Sequence, residues 1–189
     1  MRSNRLFAKR KCTERYREQC PVKVAAYLEA INDIPTHKIV YIDEMGMDTF
    51  LHREYVYTKK GHKVIGHIPG KKYKRTGVVA AKVIKDIISP LQYDGGMDSL
   101  LFEFWFENYL MQDLPTDMTL VMDNASFHRK SKLIPIAKEY GHNIIFLPPY
   151  TPELNMIEYF WAWLKAKMRK VLHDYDSFDE ALCYCFNVV

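Results

Sequence analysis

At 189 residues the chain is long enough for one domain of about 150 residues and little more. Its 48% hydrophobic and 26% charged residues exclude disorder, collagen and coiled coil as the main state. No apolar run approaches the roughly 18 residues of a membrane-spanning helix. The basic start MRSNRLFAKRKC has no apolar stretch behind it and does not read as a secretory signal. The net charge of +4 is too small by itself to demand a polyanionic partner. Its distribution is more informative. Lys59, Lys60, Lys63, Lys71, Lys72, Lys74 and Arg75 form one block without an acid, and eight cations fall within residues 1–23. Such blocks attract polyanions, or simply face solvent.

In chain order, residues 13–31 read as a helix with Val24, Tyr27, Leu28 and Ile31 on one face, broken by Pro35. KIVYID (38–43) reads as a buried strand ending in an acid. Strand-like runs follow at 54–58 and 76–92, with a basic, glycine-rich loop between them. MDSLLFEFWFENYLMQ (97–112) reads as a helix that Asp98 or Ser99 could cap. TLVMDN (119–124) repeats the strand-then-acid pattern. Residues 130–140 read as a helix stopping near Gly141, NIIFLPPY (143–150) as a third buried strand, and 156–172 as a helix. Ser177 caps a last helix, with Asp179 and Glu180 in its first turn. Strands come first and then alternate with helices, so the class is α/β around a mixed sheet.

The cysteines, Cys12, Cys20, Cys183 and Cys185, form no zinc-type CxxC pair. Cys183 and Cys185 should point to different faces of one helix, as buried or idle thiols in a reducing compartment. No GxGxxG and no GxxxxGK[ST] occurs, which argues against a nucleotide-binding fold.

Three acids are the candidates for chemistry. Asp43 and Asp123 each terminate an apolar strand, and the C-terminal edge of an α/β sheet is where ligands usually bind. If the strands are neighbours, the two carboxylates repel unless a cation neutralises them. Magnesium takes oxygen ligands of this kind, and paired ions can clamp both oxygens of a phosphoryl transfer. The bland alternative for each Asp is a turn or cap residue. Glu158 follows in PPYTPELNMIEYFWAWLKAKMRK. Here Asn155 and Glu158 have capping-box spacing. Ile157, Phe160, Trp161, Leu164, Met168 and Leu172 form a buried stripe. Glu158, Ala162, Lys165 and Arg169 form an adjacent stripe that suits either metal ligation beside a phosphate backbone or a solvated face.

YIDE, MDNASFH and LPPYTPELNMIEYFWAWLK together resemble the catalytic domain of mariner-superfamily DDE transposases, in their bacterial insertion-sequence branch. The resemblance spans residues 20 to 185, and 34 residues separate Asp123 from Glu158, the interval typical of that superfamily. It implies a ribonuclease-H-like mixed sheet flanked by helices, with Asp43, Asp123 and Glu158 as catalytic metal ligands. It also implies Mg²⁺ or Mn²⁺, two ions in all, and water as nucleophile at the element's ends. The freed 3′-hydroxyl then attacks target DNA, commonly at TA. Asn124 and His128 match family residues beside the second Asp, and with Asn155 they are expected to position ligands or substrate. For His128 the alternative is a surface histidine at a helix start. Lys71, Lys72, Lys74, Arg75, Lys165 and Arg169 are the expected DNA contacts.

Two departures stand out. Met156 replaces the family's usual proline, which pre-organises a helix start. Only 42 residues precede Asp43, where the family carries helix-turn-helix domains. Residues 1–36 therefore read as a basic helical extension and 37–189 as the catalytic domain. That pattern suggests a frameshifted, truncated or split element, with a missing N-terminal domain or a separate DNA-binding partner. The implied partners are double-stranded DNA, at element ends and target, and a second copy of the chain, since concerted cutting of two ends needs a dimer. No membrane partner is expected, and the implied location is the bacterial cytoplasm, at the nucleoid. A non-catalytic DNA-binding remnant is the rival reading. A ribonuclease H acting on hybrids is another, and the PPYTPELNMIE motif argues against it.

Overall fold

A computed structural model describes residues 16–48 and 75–188. The 54–58 strand, most of the basic loop, Lys71, Lys72, Lys74 and Cys12 lie outside the described residues. Five strands form one mixed sheet in the order β3-β2-β1-β4-β5. The strands are β1 (Ile39–Asp48), β2 (Arg75–Val83), β3 (Asp86–Asp94), β4 (Thr119–Met122) and β5 (Asn143–Phe146). β1, β2 and β3 are antiparallel neighbours, while β1–β4 and β4–β5 pair in parallel. This is the ribonuclease-H-like mixed sheet expected from the sequence.

Both faces are covered, as parallel strands require. On one face Val40, Ile42, Leu120 and Met122 pack against α2 (Ser99–Trp105), the π-helical turn Phe106–Leu110, α3 (Met111–Asp113) and α4 (Lys130–Glu139). On the other, Met45, Met47, Val78 and Ala80 meet α5 (Ile157–Val171) and α6 (Phe178–Asn187). A third cluster docks α1 (Pro21–Asn32) through Tyr27, with Ile39, Val121 and Leu147.

Several expectations need correction. The N-terminal helix starts at Pro21 rather than 13, because proline at the first helical position fixes φ, and residues 16–20 form a turn and extended chain. Tyr27 is buried there, but Leu28 faces outward. β1 does not end at Asp43; it runs to Asp48, because its antiparallel partner β2 supplies ladder bonds from Tyr41 to Asp48. The strand-like runs within 76–92 form a hairpin of β2 and β3, turning at Ile84 in the left-handed region. The 97–112 helix carries a π turn, Phe106–Leu110, in its middle. Its cap is as expected: the Asp98 carboxylate accepts from the Leu101 amide. The Ser177 hydroxyl likewise accepts from the Glu180 amide. Cys183 is exposed and Cys185 buried, on different faces of α6. No helix among the described residues is long and apolar enough to cross a membrane.

Candidate active site

The two strand acids meet because β1 and β4 are parallel neighbours. Tyr41 pairs with Val121, so two residues further on Asp43 stands level with Asp123. Alternation then gives both carboxylates the same face of the sheet. That face is the one α5 covers, and Glu158 lies in the first turn of α5. Asp43, Asp123 and Glu158 accordingly line one cavity of about 540 Å³, with Asn124, Asn155, Tyr16 and the Pro148–Pro149–Tyr150 segment. Residues 43, 123 and 158, distant in sequence, thus line one cavity.

The electrostatics there are those of crowded acids. Burial, then Glu44, Glu158 and Asp123, push the Asp43 carboxyl up to about 8. Its Oδ2 accepts a hydrogen bond from the Trp161 indole, 3.1 Å away. Asp123 is half exposed. Burial would raise its pKa, but hydrogen bonds from His128 and the Ala125 amide hold it below the usual carboxylate range.

His128 is not a surface histidine. It is 5% exposed, between Phe102 and Phe127. Nδ1 lies 3.0 Å from Asp123 Oδ1, and Nε2 lies 3.0 Å from Glu44 Oε1. Burial would favour the neutral ring, yet the two carboxylates raise its pKa to about 9. Glu44, the residue after Asp43, points to the opposite face of β1 by alternation. It was not among the sequence candidates, and neither was Trp161 except as a core residue. An acid on the buried face of a strand needs a partner, and that was the available signal.

Asn155 is buried, but it is not the helix cap. Met156 occupies that position, and no side chain caps it. The Asn155 amide instead donates to the Ile42 carbonyl at 3.1 Å, tying the start of α5 to β1 beside Asp43. A 3-10 turn at Pro152–Leu154 ahead of the helix turns Asn155 inward, which capping-box spacing cannot reveal. Its Oδ1 is buried without a hydrogen-bond partner. Asn124 makes a parallel link, donating to the Leu147 carbonyl at 2.6 Å and joining the ends of β4 and β5. On α5, Arg169 is exposed and Lys165 half-buried, in line with Glu158 as the spacing predicted.

Three carboxylates and no amine or thiol make a donor set suited to a hard, oxygen-seeking cation such as Mg²⁺ or Mn²⁺. Among the described residues, no three acids, histidines or cysteines stand close enough together to hold an ion as placed. The donor chemistry fits; the convergence of the three groups on one point is not part of the arrangement.

Residues 38–181 match the family model for a DDE superfamily endonuclease. No curated protein gives a significant sequence match. Among solved structures the chain is similar to the Mos1 transposase paired-end complex with left transposon end. The TM-score is 0.69 at 13% identity, covering 97% of this chain and 65% of that one. It is also similar to the Mos1 mariner paired-end complex with Mn, at TM-score 0.66 and 13% identity, over 95% of this chain and 64% of that one. A third likeness is to the Mos1 transposase catalytic domain with raltegravir and Mg, at TM-score 0.57 and 15% identity, over 86% and 76% of the two chains. The chain spans about two thirds of the length of the full Mos1 chains it matches. Family match and fold agree: the chain belongs to the DDE superfamily endonucleases, and its fold is that of the mariner-type transposase catalytic domain.

Proposed function

We propose that the chain cleaves DNA strands at the ends of an insertion element and joins them to a target, using Asp43, Asp123 and Glu158. The observation that carries this reading is one cavity at the sheet's C-terminal edge lined by all three carboxylates. Mg²⁺ or Mn²⁺, two ions in the full assembly, would be held by these three residues and would supply Lewis-acid activation of the phosphodiester and of water. The structural likeness to Mos1 complexes with Mn and with Mg supports a divalent ion.

The chain's own residues have separable tasks. Trp161 orients Asp43 through Oδ2, and His128 holds Asp123 from behind. Asn155 fixes the start of α5, and with it Glu158, against β1. Asn124 fixes the strand end that carries Asp123. The crowding that raises the Asp43 pKa is relieved once positive charge enters between the acids. Arg75, Lys165 and Arg169, with Lys71, Lys72 and Lys74, would contact phosphates and so position the duplex without reading its sequence. Two copies of the chain would be needed to cut two ends together, and an N-terminal DNA-binding domain or partner would recognise those ends. Residues 1–36 would then be an extension of the catalytic domain 37–189. The site of action would be the cell's nucleoid DNA, in the cytoplasm.

Asp43→Asn, Asp123→Asn and Glu158→Gln should each retain DNA binding and abolish cleavage. A variant that keeps full metal-dependent cleavage removes its residue from the assignment. The rival, a DNA-binding remnant, predicts salt-sensitive binding and no cleavage by the wild-type chain.

A further inference from the structure

A second groove, of about 560 Å³, adjoins the first and shares Asp43, Asp123 and Ala125 with it. Its other lining residues include Glu44, Arg75, Tyr93 and the glycines Gly46 and Gly77. Gly46 and Gly77 face each other across the β1–β2 ladder, and Gly77 pairs in turn with Tyr93 of β3. A patch of bare backbone therefore lies three residues beyond Asp43, about 10 Å along β1 and on its Glu44 face, and the groove reaches round from it to Asp43 and Asp123.

Two side chains occupy the space that side chains at these glycines would take. A Cβ on Gly46 would lie 2.5 Å from the Arg75 guanidinium, and one on Gly77 would lie 2.2 Å from the Tyr93 ring and 2.5 Å from its hydroxyl. Glycine at both positions is thus what lets a guanidinium and a phenol lie flat at the edge of the carboxylate site. Both groups can donate hydrogen bonds. Among the described residues, neither the guanidinium nor the hydroxyl makes a hydrogen bond or ion pair. On that face of β1, Glu44 is already engaged by His128, and Asp48, opposite Arg75 in the ladder, makes no ion pair with it. A forked cation and a hydroxyl donor without acceptors, beside a site for phosphodiester chemistry, match an anionic, tetrahedral oxygen ligand.

We propose that Arg75 and Tyr93, laid over the Gly46–Gly77 pair, form a phosphate subsite that grips the DNA strand next to the reacting phosphodiester. This rests on the reading that the strand reacts at Asp43, Asp123 and Glu158. The distance from Asp43 makes the bound group a neighbouring phosphate rather than the reacting one. Both residues are positioning residues: they hold the strand, and the carboxylates act on it.

The test uses the full chain and a fluorescein-labelled DNA duplex, with affinity followed across a salt series. Arg75→Ala should make the log–log salt slope shallower by about one, the loss of one phosphate contact. Lys85→Ala removes the same charge from the β2–β3 turn, at the far end of β2, and should leave the slope unchanged. Tyr93→Phe keeps the ring and should weaken binding about tenfold through the lost hydroxyl. Gly77→Ala should do the same by displacing that ring, with a thermal melt to show that the chain remains folded. In cleavage, Arg75→Ala should raise KM for DNA and spare kcat. If Arg75→Ala and Lys85→Ala change the slope equally, or Tyr93→Phe binds as wild type, the subsite is refuted. Failure of the underlying reading has a different mark, namely an Asp123→Asn variant that still cleaves. If the wild-type chain shows no salt-dependent affinity for the duplex, the subsite falls whatever the carboxylates do.

Discussion

Removing His128 should cost stability through Glu44 as much as through the histidine itself. The Glu44 side chain is only 12% exposed, and the imidazole is its one hydrogen-bonding partner among the described residues. In His128→Ala that carboxylate is left largely buried and unpaired, while Phe102 and Phe127 lose a ring 4.2 and 4.6 Å from their centroids. Breaking a buried pair from one side costs about 3–5 kcal/mol. Glu44→Gln keeps the shape and an acceptor oxygen and should cost about 1 kcal/mol, the difference between a charged and a neutral hydrogen bond. Once His128 is gone, neutralising Glu44 removes the unpaired charge. The double variant should therefore be more stable than the sum of the singles predicts, by about 1–3 kcal/mol. Urea unfolding in EDTA measures all four corners of the cycle. The lost packing of the ring cancels in the coupling energy, so only the contact between the two groups remains. Effects that add to within about 0.5 kcal/mol would refute the bridge as a stabilising contact.

Other variants probe separate parts of the site. Asn155→Ala removes a buried amide from the Ile42 carbonyl and should cost about 1–3 kcal/mol. At about 2–4 °C per kcal/mol for a chain of this size, differential scanning calorimetry should show a fall of several degrees. The same variant should slow cleavage, because Glu158 loses its tie to β1. The Arg129 guanidinium forks onto both Glu103 oxygens at 2.6 Å and holds that carboxyl below its ordinary range. A depressed folded-state pKa gives stability that is present above the unfolded value of about 4.3 and lost as pH falls through the folded one. The advantage of wild type over Glu103→Gln in a pH series of thermal melts should follow that course; an advantage unchanged at the acid end would contradict it. Ser177→Ala should cost about 0.5–2 kcal/mol in urea unfolding through the lost cap of α6, and leave cleavage unaltered.

Much of this arrangement is legible in the sequence, for a simple reason. Asp43 and Asp123 follow apolar runs of the same kind, and parallel pairing of two such runs brings their acids level. The buried stripe of α5 is likewise written in the spacing of Ile157, Phe160, Trp161, Leu164 and Met168, all buried. What stays hidden depends on partners distant in the chain. The continuation of β1 past Asp43 is set by β2, which pairs with it as far as Asp48 among the described residues. The role of Asn155 is set by a carbonyl 113 residues away, and local spacing offered a capping box instead. Glu44 and Trp161 gain their contacts only when the layers close over the sheet. A neighbour one residue from a candidate acid is easily passed over, because it faces the other layer.

Nicking of supercoiled plasmid by the purified chain, in Mg²⁺, Mn²⁺, Ca²⁺ or EDTA and beside Asp123→Asn, reads out metal-dependent strand cleavage at the three carboxylates. The chain should nick in Mg²⁺ or Mn²⁺ and not in EDTA, and the variant should bind DNA without nicking it. Nicking that persists in EDTA or in Asp123→Asn would contradict cleavage by metal held at those carboxylates.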